Sequence, residues 1–490
     1  MKRINRNQLI LGMVSWAVLF LLFSCQENMR INQTVDAYPP IVPDYTGVTV
    51  PVEIAPLHFT MDQPVEKIHV VITGRQGNPI EVQSKGSITL PIKKWRQLLE
   101  QHKGEEIHVT VTVKQQGQWI AYKSFPIYIS EYPIDYGLVY RLVAPGYELY
   151  SHMGIYQRTL NDFTQTTLIE NTLVPGSCVN CHSFRQTDSG DMSLHMRGEQ
   201  GGTILQTQGE TTIIDLKTTE SEGRGVYPYW HLSGNYIAYS VNDTRQVFHA
   251  VADERIEVFD HSSDLTVYDI VNNRVLTTPL LKTNDFETFP AFSPDGNWLY
   301  FCVADQRPMP QDYKMNRYNL CRIGFDPENG RFGNKIDTLV YAAAMQKSVS
   351  FPRPSYDGKY LMYTLSDYGT FSIWHKEADL WLLDLNTGET RPLTEVNSDH
   401  TESYHSWSSN SRWFVFSSRR GDGLYTRLYL ASLGEDGVAT KPFLLPQASV
   451  ENYDPLFYSY NIPEFITAPV KLNVRDIEQK ILSGERKQAQ

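Results

Sequence analysis

The sequence predicts an all-β chain in which a small β-sandwich precedes a β-propeller. Aromatic residues make up 12% of the chain, and its 31 Gly and 27 Pro are spread along it, which favours strands joined by many turns. Short runs of alternating apolar residues occupy the first quarter of the chain, and a repeat with an aromatic start recurs through the second half. These two patterns divide the chain into two β units.

The first residues have the pattern of a processing segment rather than of folded structure. Lys2 and Arg3 begin a positive stretch, Leu9–Phe23 is apolar, and Cys25 follows directly after a serine. This arrangement resembles a bacterial lipoprotein signal peptide over 1–24, and the resemblance implies cleavage before Cys25 and lipidation of its thiol. An uncleaved membrane anchor is the alternative. In either case we expect the chain to lie outside the cytoplasm, with membrane contact only through the anchor.

A tether and a first domain are expected next. Residues 25–45 lack apolar periodicity and contain three prolines, so they predict a tether. Residues 46–132 contain short alternating runs, of which Ile107–Val113 is the clearest, and they predict an immunoglobulin-like β-sandwich. One helix is predicted over 92–102, because Trp95 and the leucines that follow it lie on one helical face.

An internal repeat determines the expected fold of the remaining chain. Strong copies begin with an aromatic residue, continue to a turn such as Ser293–Gly296, and are followed by an apolar strand. A weaker fifth copy begins at Tyr453. The strong copies begin at Tyr227, Phe289, Phe351 and Tyr404.

These copies resemble the TolB-type propeller repeat over about 225–465, and the resemblance implies a β-propeller and no particular chemistry. Fainter strands before residue 225 extend the propeller to 133–470, with six blades predicted and five or seven left open. The first blade lacks an inner strand, which Tyr453–Ile462 would supply. Residues 471–490 are predicted to form a polar tail.

A cysteine pair followed by histidine carries the predicted chemistry. Cys178 and Cys181 precede His182 in a Cys-x-x-Cys-His run, which resembles the haem-attachment site of c-type cytochromes. The resemblance implies a haem c joined to both thiols, with His182 ligating the iron. A redox-active cysteine pair, a zinc site and a motif without haem are the alternatives.

Further residues are candidates for roles around such a haem. The second iron ligand is expected from the next strand, where Met196 ranks first, Met192 second and His195 third, with Met153 a distant fourth. Arg185 and Arg197 are candidates to pair with the haem propionates, although solvated arginines are more common.

Other polar residues are weaker candidates. Three glutamates precede repeat aromatics by two residues and could converge at one mouth of the channel, and two histidines near one of them could bind a metal. A solvated loop position is the alternative for all of them. A disulfide between Cys302 and Cys321 is as plausible as two free thiols. The glutamates are Glu287, Glu402 and Glu451, and the histidines are His400 and His405.

The net charge and the motifs of the chain exclude several classes of function. A net charge of −11 and no long basic run argue against nucleic-acid binding. No hydrolase or nucleotide motif occurs, so no catalytic residue is predicted. The leading hypothesis is an envelope lipoprotein of the periplasm or outer membrane whose haem transfers electrons to a redox partner or senses redox state. A non-enzymatic propeller scaffold that binds a protein or glycan is the alternative, and a haem enzyme is a third.

Overall fold

The computed structural model describes residues 29–144, 152–219, 221, 225–249, 255–452 and 458–490. The predicted signal peptide, Cys25 and Tyr453 lie outside the described residues. Within the described residues, strands dominate, and two α-helices are present. None of the helices in this part of the chain is long and apolar enough to cross a membrane.

The N-terminal region is built from β-sheets, as predicted. A seven-stranded sheet has the order β1-β8-β7-β5-β6, with β9 on β7 and β3 on β9, and a second, two-stranded sheet pairs β2 with β4. Helix α1 (Ile92–Gln101) confirms the predicted helix and buries Trp95, Leu98 and Leu99. The strands are β1 (Ile31–Val35), β2 (Ile41–Val42), β3 (Thr49–Val50), β4 (Thr60–Met61), β5 (Lys67–Thr73), β6 (Ile80–Ser84), β7 (Glu106–Gln115), β8 (Gln118–Tyr122) and β9 (Phe125–Ile129).

The predicted tether over 25–45 is wrong for its described part. Strand β1 pairs in parallel with β8, and β2 pairs with β4, so the backbone of this segment is part of the sheets. Ile41 and Tyr45 are buried in the core. Backbone pairing and a few single buried side chains hold this segment in place. Its sequence therefore lacks the apolar periodicity by which a strand can be predicted.

The remaining sheets form a β-propeller. One sheet has the order β12-β11-β10-β33, the next contains β13 to β16, and an eight-stranded sheet contains β17 to β24. Two further sheets contain β25 to β28 and β29 to β32, in chain order. The strands are β10 (Gly137–Val143), β11 (Met153–Thr159), β12 (Gln165–Glu170), β13 (Cys178–Arg185), β14 (Asp188–Arg197), β15 (Gly202–Thr207), β16 (Glu210–Asp215), β17 (Gly225–Trp230), β18 (Tyr236–Phe248), β19 (Ile256–Asp269), β20 (Arg274–Leu276), β21 (Phe286–Phe292), β22 (Trp298–Ala304), β23 (Asn319–Asp326), β24 (Arg331–Val340), β25 (Ser348–Pro354), β26 (Tyr360–Ser366), β27 (Asp379–Asp384), β28 (Thr390–Pro392), β29 (Glu402–Trp407), β30 (Trp413–Ser418), β31 (Arg427–Ser432), β32 (Phe443–Leu444) and β33 (Ser459–Ile466).

The propeller is closed by strands from both ends of the domain. Strand β33 pairs antiparallel with β10, from Ser459 opposite Val143 to Ile466 opposite Gly137. The sequence predicts this pairing, but the observed strand extends four residues beyond Ile462. The closure ties the last strand of the domain to its first, so the ring of sheets has no free edge at this point.

The turns of the repeat share one side-chain hydrogen bond. In the second strong copy the hydroxyl of Ser293 accepts a hydrogen bond from the backbone N–H of Trp298 at 3.0 Å. Ser355 and Ser408 make the equivalent contact in the next two copies. Gly296 adopts φ of +76°, which glycine tolerates without a Cβ clash. The serine and glycine of the repeat are therefore explained by the turn between its first two strands.

The predicted polar tail over 471–490 is also wrong. Residues 474–483 form helix α2 (Val474–Ser483), which Asn473 caps by accepting a hydrogen bond from the Asp476 N–H. Ile477 and Ile481 pack into the same apolar cluster as strands β10, β13 and β14. Strand β34 (Lys487–Gln488) then pairs with β16. Two isoleucines four residues apart are enough to bury one face of a short helix.

We expect the packing of helix α2 against the propeller to stabilise the fold. Ile477 is 0% exposed, so Ile477→Ala should lower the free energy of unfolding by about 2–5 kcal/mol, since it removes a fully buried side chain. Leu482 on the same helix is 50% exposed, and Leu482→Ala should change it by less than about 0.5 kcal/mol. Urea denaturation followed by circular dichroism measures both, and equal effects would contradict the packing described.

Candidate functional site

The candidate site is built on a backbone irregularity that six strands share. Each strand has a bulge at which two of its residues lack partners on the neighbouring strand, and the first of them adopts a positive φ between 44° and 52°. The four repeat aromatics occupy this position. The six residues are Cys181, Tyr227, Phe289, Phe351, Tyr404 and Ile462.

These bulged residues meet around the propeller axis. The ring of Phe289 lies 4.4 Å from that of Tyr227 and 4.2 Å from that of Phe351, and Phe351 lies 4.7 Å from Tyr404, between ring centroids. Burial raises the pKa of Tyr404, and a charge on the nearby Cys181 thiol would raise it further. Cys181 therefore occupies, in its own strand, the position that an aromatic ring takes in four others.

A cavity of about 310 Å³ adjoins this cluster of rings. Both cysteines of the motif line it, together with Met153, Tyr227, Tyr404 and Ile462. Its wall also includes the aromatic side chains of Phe248, Phe371 and Trp374. The cavity lies where several blades meet, which is a common position for a ligand site in a closed β architecture.

The charged lining of the cavity is cationic. Arg141, Arg197 and Arg419 line it, and no Asp or Glu does so among the described residues. Arg141 donates a hydrogen bond to Asn180, and Arg419 donates to the carbonyl of Ile373 at 2.6 Å. Burial lowers the pKa of Arg419 to about 9, although the nearby Tyr404 and Asp422 act in the opposite direction. Such a cavity favours an anionic ligand, although the whole chain carries a net charge of −11.

Sequence reasoning missed two of these arginines. Arg141 belongs to β10 and Arg419 follows β30, so 278 residues of sequence (419 − 141) separate them. Neither arginine belongs to a repeat copy or to a recognisable motif. Only the closure of the propeller brings them together, and the sequence that predicts this closure carries no signal for which arginines then face the cavity.

The two cysteines of the motif present free thiols to the cavity. Cys178 is half-buried, and its Sγ lies 3.2 Å from the Sδ of Met153 on β11. Burial raises the pKa of the Cys178 thiol, while Arg141 and Arg197 oppose the shift. The fourth-ranked methionine of the sequence analysis is therefore the one that lies beside the thiols.

His182 points away from this cavity. It is the second residue of its bulge and is 2% exposed, and its ring contacts the backbone of Val139 on the preceding sheet without a well-aligned hydrogen bond. His405 holds the same position in β29, where its Nε2 contacts the carbonyl oxygen of Met362 on the preceding sheet at 3.0 Å. Burial lowers the pKa of both imidazoles to about 3. The backbone thus directs His182 between sheets while Cys181 faces the axis.

The residues fit a haem only in part. Two thiols, three arginines and aromatic walls in one cavity suit a porphyrin with two carboxylates. The position of His182 does not suit ligation of an iron bound in the cavity, because its ring is buried against the backbone of Val139. The attachment residues therefore fit, and the predicted ligand set does not.

The three second ligands that ranked above Met153 are not in the cavity either. Met192 and Met196 are buried in the apolar cluster that also contains Val139 and Val179. His195 is buried, and its Nδ1 lies 3.0 Å from the hydroxyl of Thr203. This is the packing role that methionine usually has in a core.

The two predicted propionate partners have different surroundings. Arg197 lines the cavity, whereas Arg185 forms ion pairs with Asp188 at 2.6 Å and Asp191 at 2.7 Å. The guanidinium of Arg185 is therefore already paired with carboxylates of its own hairpin. Arg197 alone of the two is available to a ligand in the cavity.

The other two cysteines are free thiols in the core. Cys302 packs with one apolar cluster and Cys321 with another, because the two residues face opposite sides of their sheet. In the antiparallel pairing Cys321 lies opposite Phe301, and Cys302 lies opposite Leu320. A disulfide between the two is therefore excluded by their orientation.

The three predicted glutamates do not converge. Glu402 is fully buried and bonds Ser418 and Arg420 within its own sheet, and Glu287 is buried in β21. Glu451 instead accepts a hydrogen bond from Ser87 in the N-terminal region. His400 and His405 form no metal-binding group with other His, Cys, Asp or Glu in the part of the chain that is described. The three glutamates thus have different surroundings, and the position two residues before an aromatic has no common function.

Similarity of this chain to known proteins is found among solved structures. No protein-family model and no curated protein matches it. Similar solved structures include oligogalacturonate lyase in complex with manganese, at 12% identity and a TM-score of 0.35, with 62% of this chain and 72% of that chain covered. Prolyl oligopeptidase B from Galerina marginata has 11% identity and a TM-score of 0.35, covering 62% and 44%. A DUF4784 family protein from Bacteroides caccae has 9% identity and a TM-score of 0.32, covering 86% and 98%. These similarities concern the fold and carry no conclusion about the cavity.

We predict that His405 gives the protein a specific acid sensitivity. The folded chain binds its proton near pH 3, whereas the unfolded chain binds it near pH 6.5, so stability is lost as the pH falls between these values. Between pH 7 and pH 5 the wild type should lose about 2 kcal/mol more than His405→Gln. Urea denaturation at both pH values measures the difference, and parallel pH profiles would refute the prediction.

Proposed function

We propose that this chain is an envelope protein that carries one c-type haem in the axial cavity, attached through Cys178 and Cys181. The observation that carries the proposal is that both thiols of the motif line one cavity in which the charged residues of the described lining are all arginines. A bound haem supplies one-electron chemistry. Arg141, Arg197 and Arg419 would pair with its two carboxylates, and the aromatic wall would exclude water from its faces.

We further propose an architecture of six blades, of the kind that TolB-type repeats form, after an immunoglobulin-like N-terminal domain. Six strands carry the axial bulge, one for each proposed blade. The eight-stranded sheet is joined at its middle by a single bridge between Ser263 and Phe286, which supports its division into two blades of four strands. Cys178 and Cys181 then belong to the inner strand of one blade.

The proposed location is the cell envelope, with Cys25 as the lipidated residue. Covalent haem is compatible with that location, because the motif follows a segment that resembles an export signal. Within it, we propose that the protein exchanges electrons with another envelope protein. Phe248 lines the cavity and is 56% exposed, so the cavity reaches the molecular surface, where a redox partner can approach.

One feature favours a second candidate function, the binding of a protein partner. The hairpin of β18 and β19 extends past the neighbouring strands, and its end exposes Val247 and Phe248, the latter at 56%. Phe248 also lines the cavity. An exposed phenylalanine beside a cavity is typical of a contact surface. A propeller scaffold without haem would use the same surface.

Covalent haem is the direct test of the first proposal. The chain should be expressed with its export signal in a strain that attaches c-type haem, then denatured and stained for haem on a gel. We expect staining of the wild type and its complete loss in the Cys178→Ser, Cys181→Ser variant, which has no thiol for attachment.

A matched control separates attachment from folding. Cys302→Ser changes a buried thiol elsewhere in the propeller and should leave haem staining intact. Absence of covalent haem from the wild type, with the chain exported and folded, would contradict the haem proposal and leave the scaffold function.

A further inference from the structure

Three sulfur atoms lie in the axial cavity. The thioether of Met153 and the thiol of Cys178 are 3.2 Å apart, on strands of neighbouring sheets. Cys181 lines the same cavity, and its charge would influence the pKa of Cys178. Met153 and Cys181 are both buried. Met153 and Cys178 thus form a pair of adjacent soft donors, and Cys181 adds a third soft donor to the same cavity.

The two thiols and the thioether determine which metal ions the cavity can bind. Two thiolates and a thioether are ligands for soft monovalent ions, above all Cu(I), whereas Zn(II) takes four donors. No described Asp, Glu or His joins the sulfurs in a metal-binding group. Hard cations such as Ca²⁺ and Mg²⁺ need oxygen ligands, which the cavity offers only as hydroxyl and amide groups.

The charge of the cavity also fits. A Cu(I) ion with two thiolates and one neutral thioether carries a net charge of −1. Arg141 and Arg197 line the same cavity as both thiols, so their positive charges lie on the wall around the proposed complex. The complex would therefore neutralise part of the positive charge that the arginines give the cavity. A divalent cation bound without thiolates would instead add to that positive charge.

We propose that Met153, Cys178 and Cys181 form a Cu(I) site in chains whose thiols carry no haem. Binding replaces the two thiol protons, which pass to the solvent, and no electron is transferred because copper remains Cu(I). The site is independent of the haem proposal, since it requires only free thiols. The same thiols cannot hold both ligands in this way, so haem attachment would block the copper site.

The test uses the full chain made without its export signal in the cytoplasm, where the thiols stay free and reduced. Under argon, Cu(I) is titrated in competition with a colorimetric Cu(I) chelator, and we expect one tightly bound Cu(I) per chain. Met153→Leu should weaken binding on the order of tenfold or more, and Cys178→Ser, Cys181→Ser should abolish it. Met192→Leu, which changes a buried methionine of the apolar cluster, should bind like the wild type.

A second measurement needs no variant. One equivalent of Cu(I) should protect both thiols of the Cys178–Cys181 peptide from alkylation, read by mass spectrometry. Retention of no Cu(I), unchanged affinity in a folded Met153→Leu chain, or equally tight binding of Zn(II) would each overturn the copper proposal. None of these results depends on haem, and failure of haem staining leaves the copper titration unaffected.

Discussion

The left-handed backbone at the propeller axis is the constraint on which the site depends. A non-glycine residue with φ near +50° costs about 1–2 kcal/mol, and the contacts of six such residues around one axis offset that cost. The bulge turns the first residue toward the axis and the second toward the preceding sheet. For this reason Cys181 and His182, adjacent in sequence, face different environments, and the motif is divided between a cavity and a core.

Much of the fold could be predicted because its signals are local. The aromatic at each bulge and the serine and glycine of each turn are required by the geometry of a single strand pair, so they recur in the sequence. The closure by β33 followed from a missing strand. By contrast, β1 and helix α2 have no repeated pattern, since each is held by pairing or packing against a distant part of the chain.

The site was predictable only in part, because only some of its residues belong to a local sequence pattern. The thiols of Cys178 and Cys181 belong to one local motif. Met153, Arg141 and Arg419 come from other strands and loops, and only the closed ring brings them to the thiols. Met192 and Met196 suited the expected ligand set by position in sequence. The structure instead assigns them to the apolar core, where the strand alternation directs them.

We have proposed that the cysteine pair holds a haem inside the arginine-lined axial cavity. Anomalous diffraction at the iron absorption edge, from crystals of the exported protein, tests this proposal most directly. We expect one iron peak within the cavity that Cys178, Cys181 and Arg419 line. No iron peak, or one outside the cavity, would contradict the proposal.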